Sequence, residues 1–192
     1  LQHSLQQVQK YNFGQRSTAN GTPEQQLTGI IGQSMMQQLF GLPLVDGATG
    51  CDDGVDIAYA GLSVDVKTMG RTTDVRPYYV NNFLGLQLKF TTDVLVFCSY
   101  NKRNSELTVC GWCTKKAFTQ KASFYPQGTL RNRSDGSSFK TFSDLYEISN
   151  SDLNDVSSID DLKHQLQKLS ANKEAINEDN DSQRTSEVDK NL

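Results

Sequence analysis

Apolar positions fall into distinct rhythms along the chain. Between residues 22 and 40 they recur at helical spacing: Leu27, Ile30, Ile31, Ser34, Met35 and Leu39 share one face, and Gly29, Gly32, Met36 and Phe40 form a second stripe. A helix of that pattern is covered on two sides, and its glycines allow a neighbouring backbone to come close. Thr22-Pro23-Glu24 supplies an N-cap hydroxyl, a first-turn proline and an acid, and Gly41-Leu42-Pro43 ends the helix. Alternation takes over at 55–59 and 62–68, which read as two strands joined by a tight turn at Ala60-Gly61. A nearly continuous apolar run at 93–100 predicts a buried strand, and after a turn at 101–105 another strand follows at 106–112. Helical spacing returns at 78–89, 114–122 and 158–169, and 144–148 predicts a late strand.

The stretches between are polar loops: a Gly/Asp loop at 45–53, a loop at 70–77 closed by Pro77, and a long loop at 125–140. Residues 1–21 form a Gln-rich, polar lead-in, 22–170 one domain, and 171–192 an acidic tail without apolar periodicity, expected to be disordered. The order of elements predicts a mixed α/β fold. At 192 residues and 36% hydrophobic content, one core is what the chain can bury. No apolar run approaches the roughly 18 residues a spanning helix needs, so no membrane partner is expected. Gly 14, Pro 4 and Cys 4 exclude collagen-like and disulfide-scaffold classes. No basic-then-apolar leader opens the sequence, and reduced cysteines fit a cytoplasmic setting.

Charge changes the picture. The net charge is −3 and the isoelectric point near 5.4. Yet residues 67–140 carry 12 basic and 4 acidic side chains, net +8. Phosphate binding needs a local basic surface, not a basic whole.

The chemistry-bearing stretch runs from Gly54 to Thr68. With Ala60 and Gly61 as the central turn residues, pairs whose numbers sum to 121 lie opposite one another. Asp56 then faces Asp65, and Asp65 and Lys67 project to the same side. The other side carries Ile57, Tyr59, Val64 and Val66, which suits a core. Opposed carboxylates repel. A neighbouring lysine gives one resolution, a mutual ion pair on an exposed strand; a divalent cation gives another. Magnesium takes oxygen ligands and keeps several waters, and an ammonium two residues along can hold a metal-bound water, a set suited to phosphodiester hydrolysis.

Asp56, eight residues, then Asp65-Val66-Lys67 resembles the PD-(D/E)xK nuclease superfamily, with a helix before the hairpin and a helix and two strands after it. The resemblance covers about residues 22–118 and implies a restriction-endonuclease-like mixed central sheet flanked by helices. It implies that Asp56, Asp65 and the Val66 carbonyl ligate Mg2+ (or Mn2+) and that Lys67 orients or activates the water. Many members carry Gly-x-x-Gly-Glu on the first helix; here Gly29-Ile-Ile-Gly32-Gln33 places Gln33 where the acid would stand. Glu24 is the nearest alternative carboxylate on that helix, with a helix N-terminus as its simpler role. Gln87 resembles an auxiliary glutamine of such enzymes. Arg71 and Arg76 follow the lysine strand and are the best candidates for DNA phosphate contacts, with Arg131 and Arg133 in the long loop.

Cys110-Gly-Trp-Cys113 is a competing signal. It resembles the thioredoxin-type motif, in which a helix N-terminus lowers a cysteine pKa. Cys51 and Cys98 stand singly and His3 and His164 are remote, so no zinc set or nucleophilic triad is spelled out. Trp112 reads as core. The expectation is a magnesium-dependent deoxyribonuclease, with a homodimer open to it. The alternatives are a DNA-binding protein of the same fold weakened by Gln33, and a thiol-disulfide oxidoreductase using Cys110 and Cys113.

Overall fold

The computed structural model describes residues 1–11, 21–44, 46, 54–132 and 136–188, with side chains described through 175. Cys51, Arg133 and all of the 45–53 loop except Asp46 lie outside the described residues. The fold is mixed α/β, with a mixed sheet flanked by helices. In chain order the helices are α1 (Gln2–Lys10), α2 (Pro23–Leu39), α3 (Lys115–Lys121) and α4 (Ile159–Val188). The strands are β1 (Ile57–Tyr59), β2 (Leu62–Arg71), β3 (Val80–Leu84), β4 (Val94–Asn101), β5 (Glu106–Thr114), β6 (Ser123–Tyr125), β7 (Leu130–Asn132), β8 (Ser138–Lys140) and β9 (Leu145–Ser149). The main sheet has the order β1-β2-β4-β5, with β2 and β4 parallel and the outer pairs antiparallel. A second sheet, β3-β9-β6, and a β7-β8 hairpin complete it.

Helix α2 starts and stops as its sequence specifies. Thr22 and Gln25 form a reciprocal capping box with Pro23 in the first turn. At the other end Gly41 takes φ 72°, Gly41 N–H donates to Gln38 O and Leu42 N–H to Gln37 O, a Schellman ending that needs glycine. Both stripes are covered, with Ile30, Ile31 and Ser34 buried on one and Gly32 and Met36 on the other, while Leu39 at the end of the helix is exposed. A Cβ on Gly32 would lie 1.8 Å from Thr68 Oγ1, so this glycine sets how closely α2 lies on β2. Thr28 faces Gly70 and Met36 packs with Val64 and Val66, so helix and strand run in opposite directions.

Two cores lie on opposite faces of the main sheet. Met36, Ile57, Val64, Val66, Val94, Val96 and Trp112 pack with Leu162 and Leu166 of α4. Leu95, Phe97 and Cys113 pack on the other face with Phe83, Phe118 and Ile148. Strand β4 is buried along nearly its whole length, as its apolar run requires.

Four expectations need correction. Residues 78–89 are not a helix: they form β3 followed by a short 3-10 helix, Gly85–Lys89. Asn81 and Asn82 are weak helix formers, and pairing with β9 decides the conformation, with Asn81 Nδ2 donating to Asn150 Oδ1 at 2.8 Å. The 125–140 loop contains the β7-β8 hairpin. Residues 171–188, expected to be disordered, continue α4 with no glycine or proline to stop it, and Lys173 of this stretch bonds Asp93 at 2.6 Å. The lead-in likewise contains α1, which packs on α2. Among the described residues no helix is long and apolar enough to cross a membrane.

Candidate functional site

The hairpin adopts the expected register. Ile57 pairs with Val64, Ala58 with Ser63 and Tyr59 with Leu62. Ala60 and Gly61 both have positive φ, 49° and 73°, as a two-residue turn of this hand demands. The β1 ladder ends at Ile57, and the Asp56 carboxylate continues it: Val66 N–H donates to Asp56 Oδ2 at 2.6 Å, and Gln37 Nε2 holds the Asp56 carbonyl at 3.1 Å. A strand residue sends its N–H and C=O to the same edge. The Val66 carbonyl therefore opens on the side where Asp56 lies.

Asp65 is 2% exposed, on the sheet face that carries the second core. Its Oδ1 lies 2.7 Å from Lys67 Nζ, and Lys67 Nζ stands 5.5 Å from the centre of the Phe83 ring. Asp56, Asp65, Val66 and Lys67 thus come together at the edge of the sheet, with apolar packing behind them. Two carboxylates and one backbone carbonyl form an all-oxygen donor set, which suits a hard divalent cation and not zinc. Among the described residues no group of three or more His, Cys, Asp and Glu side chains converges.

Gln33 is half-buried one turn before Gln37 on the same side of α2, the side that reaches Asp56. Glu24 is elsewhere: it pairs with Lys102 at 2.6 Å, at the far end of β2, and Lys102 holds its carboxyl below the usual carboxylate range. Gln87 is buried in the 3-10 helix, whose carbonyl at Gln87 accepts from Phe90 N–H. Arg71 sits four residues beyond Lys67, its Nη2 donating to Val80 O at 2.7 Å and its guanidinium 4.5 Å over Tyr79; burial pushes its pKa down. Arg76 is exposed, and its carbonyl accepts from Asn150 Nδ2. Arg131 pairs with Glu147 at 2.5 Å and stacks on Tyr125, tying β7 to the second sheet.

Sequence reasoning missed two neighbours. Gln37 looked like an ordinary polar helix position, and only the α2–β2 crossing gives it a role. Lys115 opens α3, where the helix dipole disfavours a cation, and that misplacement was the available signal. Its Nζ donates to Phe90 O. Burial holds its pKa below the ordinary lysine value, with the charge of Asp65 opposing and that of Lys67 adding.

The cysteine motif lies in a different setting from the one its spacing suggests. Cys110 and Cys113 are both in β5, and Cys110 is the extra residue of a bulge, since Phe97 pairs with Gly111 and Cys98 with Val109. Helix α3 begins only after Thr114. Burial pushes Cys110 up to about 11 and Cys113 up to about 12, the opposite of an activated thiol. Trp112 is core, with Nε1 donating to Gln165 Oε1 at 2.7 Å. Comparison of the chain with family models, with curated proteins and with solved structures finds no match.

Proposed function

We propose that the protein is a magnesium-dependent deoxyribonuclease of the PD-(D/E)xK type, with a restriction-endonuclease-like core. One observation carries the reading: a buried aspartate ion-paired with a lysine two residues on, beside a second aspartate bonded to the backbone between them. The antiparallel β1-β2 hairpin, the parallel β4 beside it and α2 across β2 support the core assignment.

Asp56, Asp65 and the Val66 carbonyl would hold the ion. Bound there, magnesium supplies positive charge to the phosphate and lowers the pKa of a water. The chain does the positioning. Val66 N–H and Gln37 fix Asp56 through its carboxylate and its carbonyl. Lys67 has three donor hydrogens, so its bond to Asp65 leaves capacity to hold an attacking water in line with the phosphodiester. Arg71, Arg76 and Gln87 are assigned to the DNA side of the site.

A second reading keeps the fold and DNA binding but not the cleavage. It is favoured by Gln33 on the helix and by the commitment of Glu24 to Lys102, which leave no carboxylate from α2 in the site among the described residues. Incubation with linear, circular and branched DNA separates the readings. Cleavage with Mg2+ or Mn2+ that EDTA abolishes supports the nuclease. DNA binding without cleavage on any substrate supports the second reading, and Gln33→Glu should then restore cutting.

A further inference from the structure

Lys115 is placed as a functional group. In β5 the partner of Leu95 is Cys113, and Leu95 is itself opposite Asp65. Two residues beyond Cys113, Lys115 follows the face that carries Asp65 and Lys67. Its backbone N–H donates to Asp93 O, which anchors it at the end of β4 where the hairpin begins. Its side chain then bonds the carbonyl of Phe90. The Phe90 ring is the nearest group to Gly54, where a Cβ would lie 2.8 Å from it, and Thr92 Oγ1 donates to Gly54 O at 2.9 Å. Gly54 is two residues from Asp56. The ammonium therefore comes near enough to Asp65 and Lys67 for the charges to interact, from the β5 side of the sheet, while Lys67 approaches along β2.

The position is unfavourable for a purely structural lysine. It is the first residue of α3, where the helix dipole disfavours a cation, and it is half-buried. One of its three donors goes to Phe90 O, and a backbone carbonyl is a neutral partner that a phosphate oxygen outcompetes. We propose that Lys115 is a phosphate-binding residue of the site, turning from Phe90 O to a non-bridging oxygen of the bound DNA. The proposal rests on the nuclease reading and adds a cation supplied by α3, a different element from the strand that carries Lys67.

The test is DNA binding without turnover. The full chain is titrated onto a short fluorescent duplex in EDTA across a range of salt, beside Lys115→Gln, Lys115→Met, Lys115→Arg and Lys116→Gln, each checked by thermal melt. Loss of one phosphate contact lowers the slope of log K against log salt by about 0.9. The expected result is that lowering for Lys115→Gln and Lys115→Met, with wild-type slopes for Lys115→Arg and Lys116→Gln. An unchanged slope in both neutral variants overturns the assignment, even with weaker binding, because Lys115 then only anchors the Phe90 turn. An equal fall in Lys116→Gln also overturns it, as a general effect of charge on α3. Wild-type cleavage with unchanged variant slopes removes Lys115 alone; a wild-type chain that neither binds nor cuts DNA removes the nuclease reading with it.

Discussion

Asp56 does two things that one substitution can separate. Its Oδ2 accepts from Val66 N–H, and its charge faces the candidate metal position. Asp56→Asn keeps an acceptor for Val66 and loses the charge. The expected outcome is a melting temperature close to wild type in EDTA, loss of the Mg2+-induced rise in melting temperature, and a fall in cleavage of about 10²-fold or more. Lys67 is the partner of a buried carboxylate. Lys67→Ala leaves Asp65 uncompensated and should cost about 3 kcal/mol in a denaturant melt in EDTA, the low end for such pairs because Lys67 retains 17% side-chain exposure. Mg2+ should return part of that loss. The cysteines carry a pH prediction. Cys110 is raised from an ordinary 9.0 to about 11 by burial, so between these values the unfolded thiol ionises first. Its contribution to stability is complete below pH 9 and lost as pH rises toward 11. Melting temperature should fall across that window, and fall less in Cys110→Ala. The register, Asp65 and Lys67 were legible in the sequence because turn chemistry and a period of two determine them locally; Asp56, expected in the ladder opposite Asp65, instead lies just before β1, with its N–H on Val64 O and its carboxylate on Val66 N–H. Gln37 and Lys115 were not, because their partners, the Asp56 carbonyl and Phe90 O, come from elements that only packing brings near.

The elements divide along the same line. Helix α2 and strands β1, β2, β4 and β5 follow from caps, turns and apolar rhythm. Residues 78–89 did not, because Tyr79, Phe83, Leu86 and Phe90 fit a helical spacing equally well. The β9 strand decides their conformation: Val80 pairs with Ser149 and Leu84 with Leu145, more than sixty residues away. Phe83 thereby enters the second core and passes under Lys67. The helix-on-strand contact offers its own test. Gly32→Ala puts a Cβ against Thr68, which cannot yield without moving β2 or α2. The expected cost is about 1–3 kcal/mol in chemical denaturation. Because α2 carries Gln37, cleavage should fall further than the loss of folded protein explains. Ala60, at φ 49°, is strained in the turn, and Ala60→Gly should raise the melting temperature while leaving cleavage unchanged.

The molecule as a whole is acidic, with a net charge of −3 and a segment of net +8 at its middle. That segment begins at Lys67 within β2 and runs through β3 to β8 and α3, so the basic charge follows directly on the hairpin that carries Asp56 and Asp65. Not all of it is available to DNA: Arg131 is neutralised by Glu147 and Lys102 by Glu24. The deciding measurement is cleavage of the best DNA substrate in Mg2+, comparing the wild-type chain with Asp65→Ala and Lys67→Ala at equal folded concentration. The nuclease account expects cutting by the wild type, none in EDTA, and a fall of about 10²–10⁴-fold in each variant. Cutting that survives in folded Asp65→Ala, or that proceeds in EDTA, would contradict it.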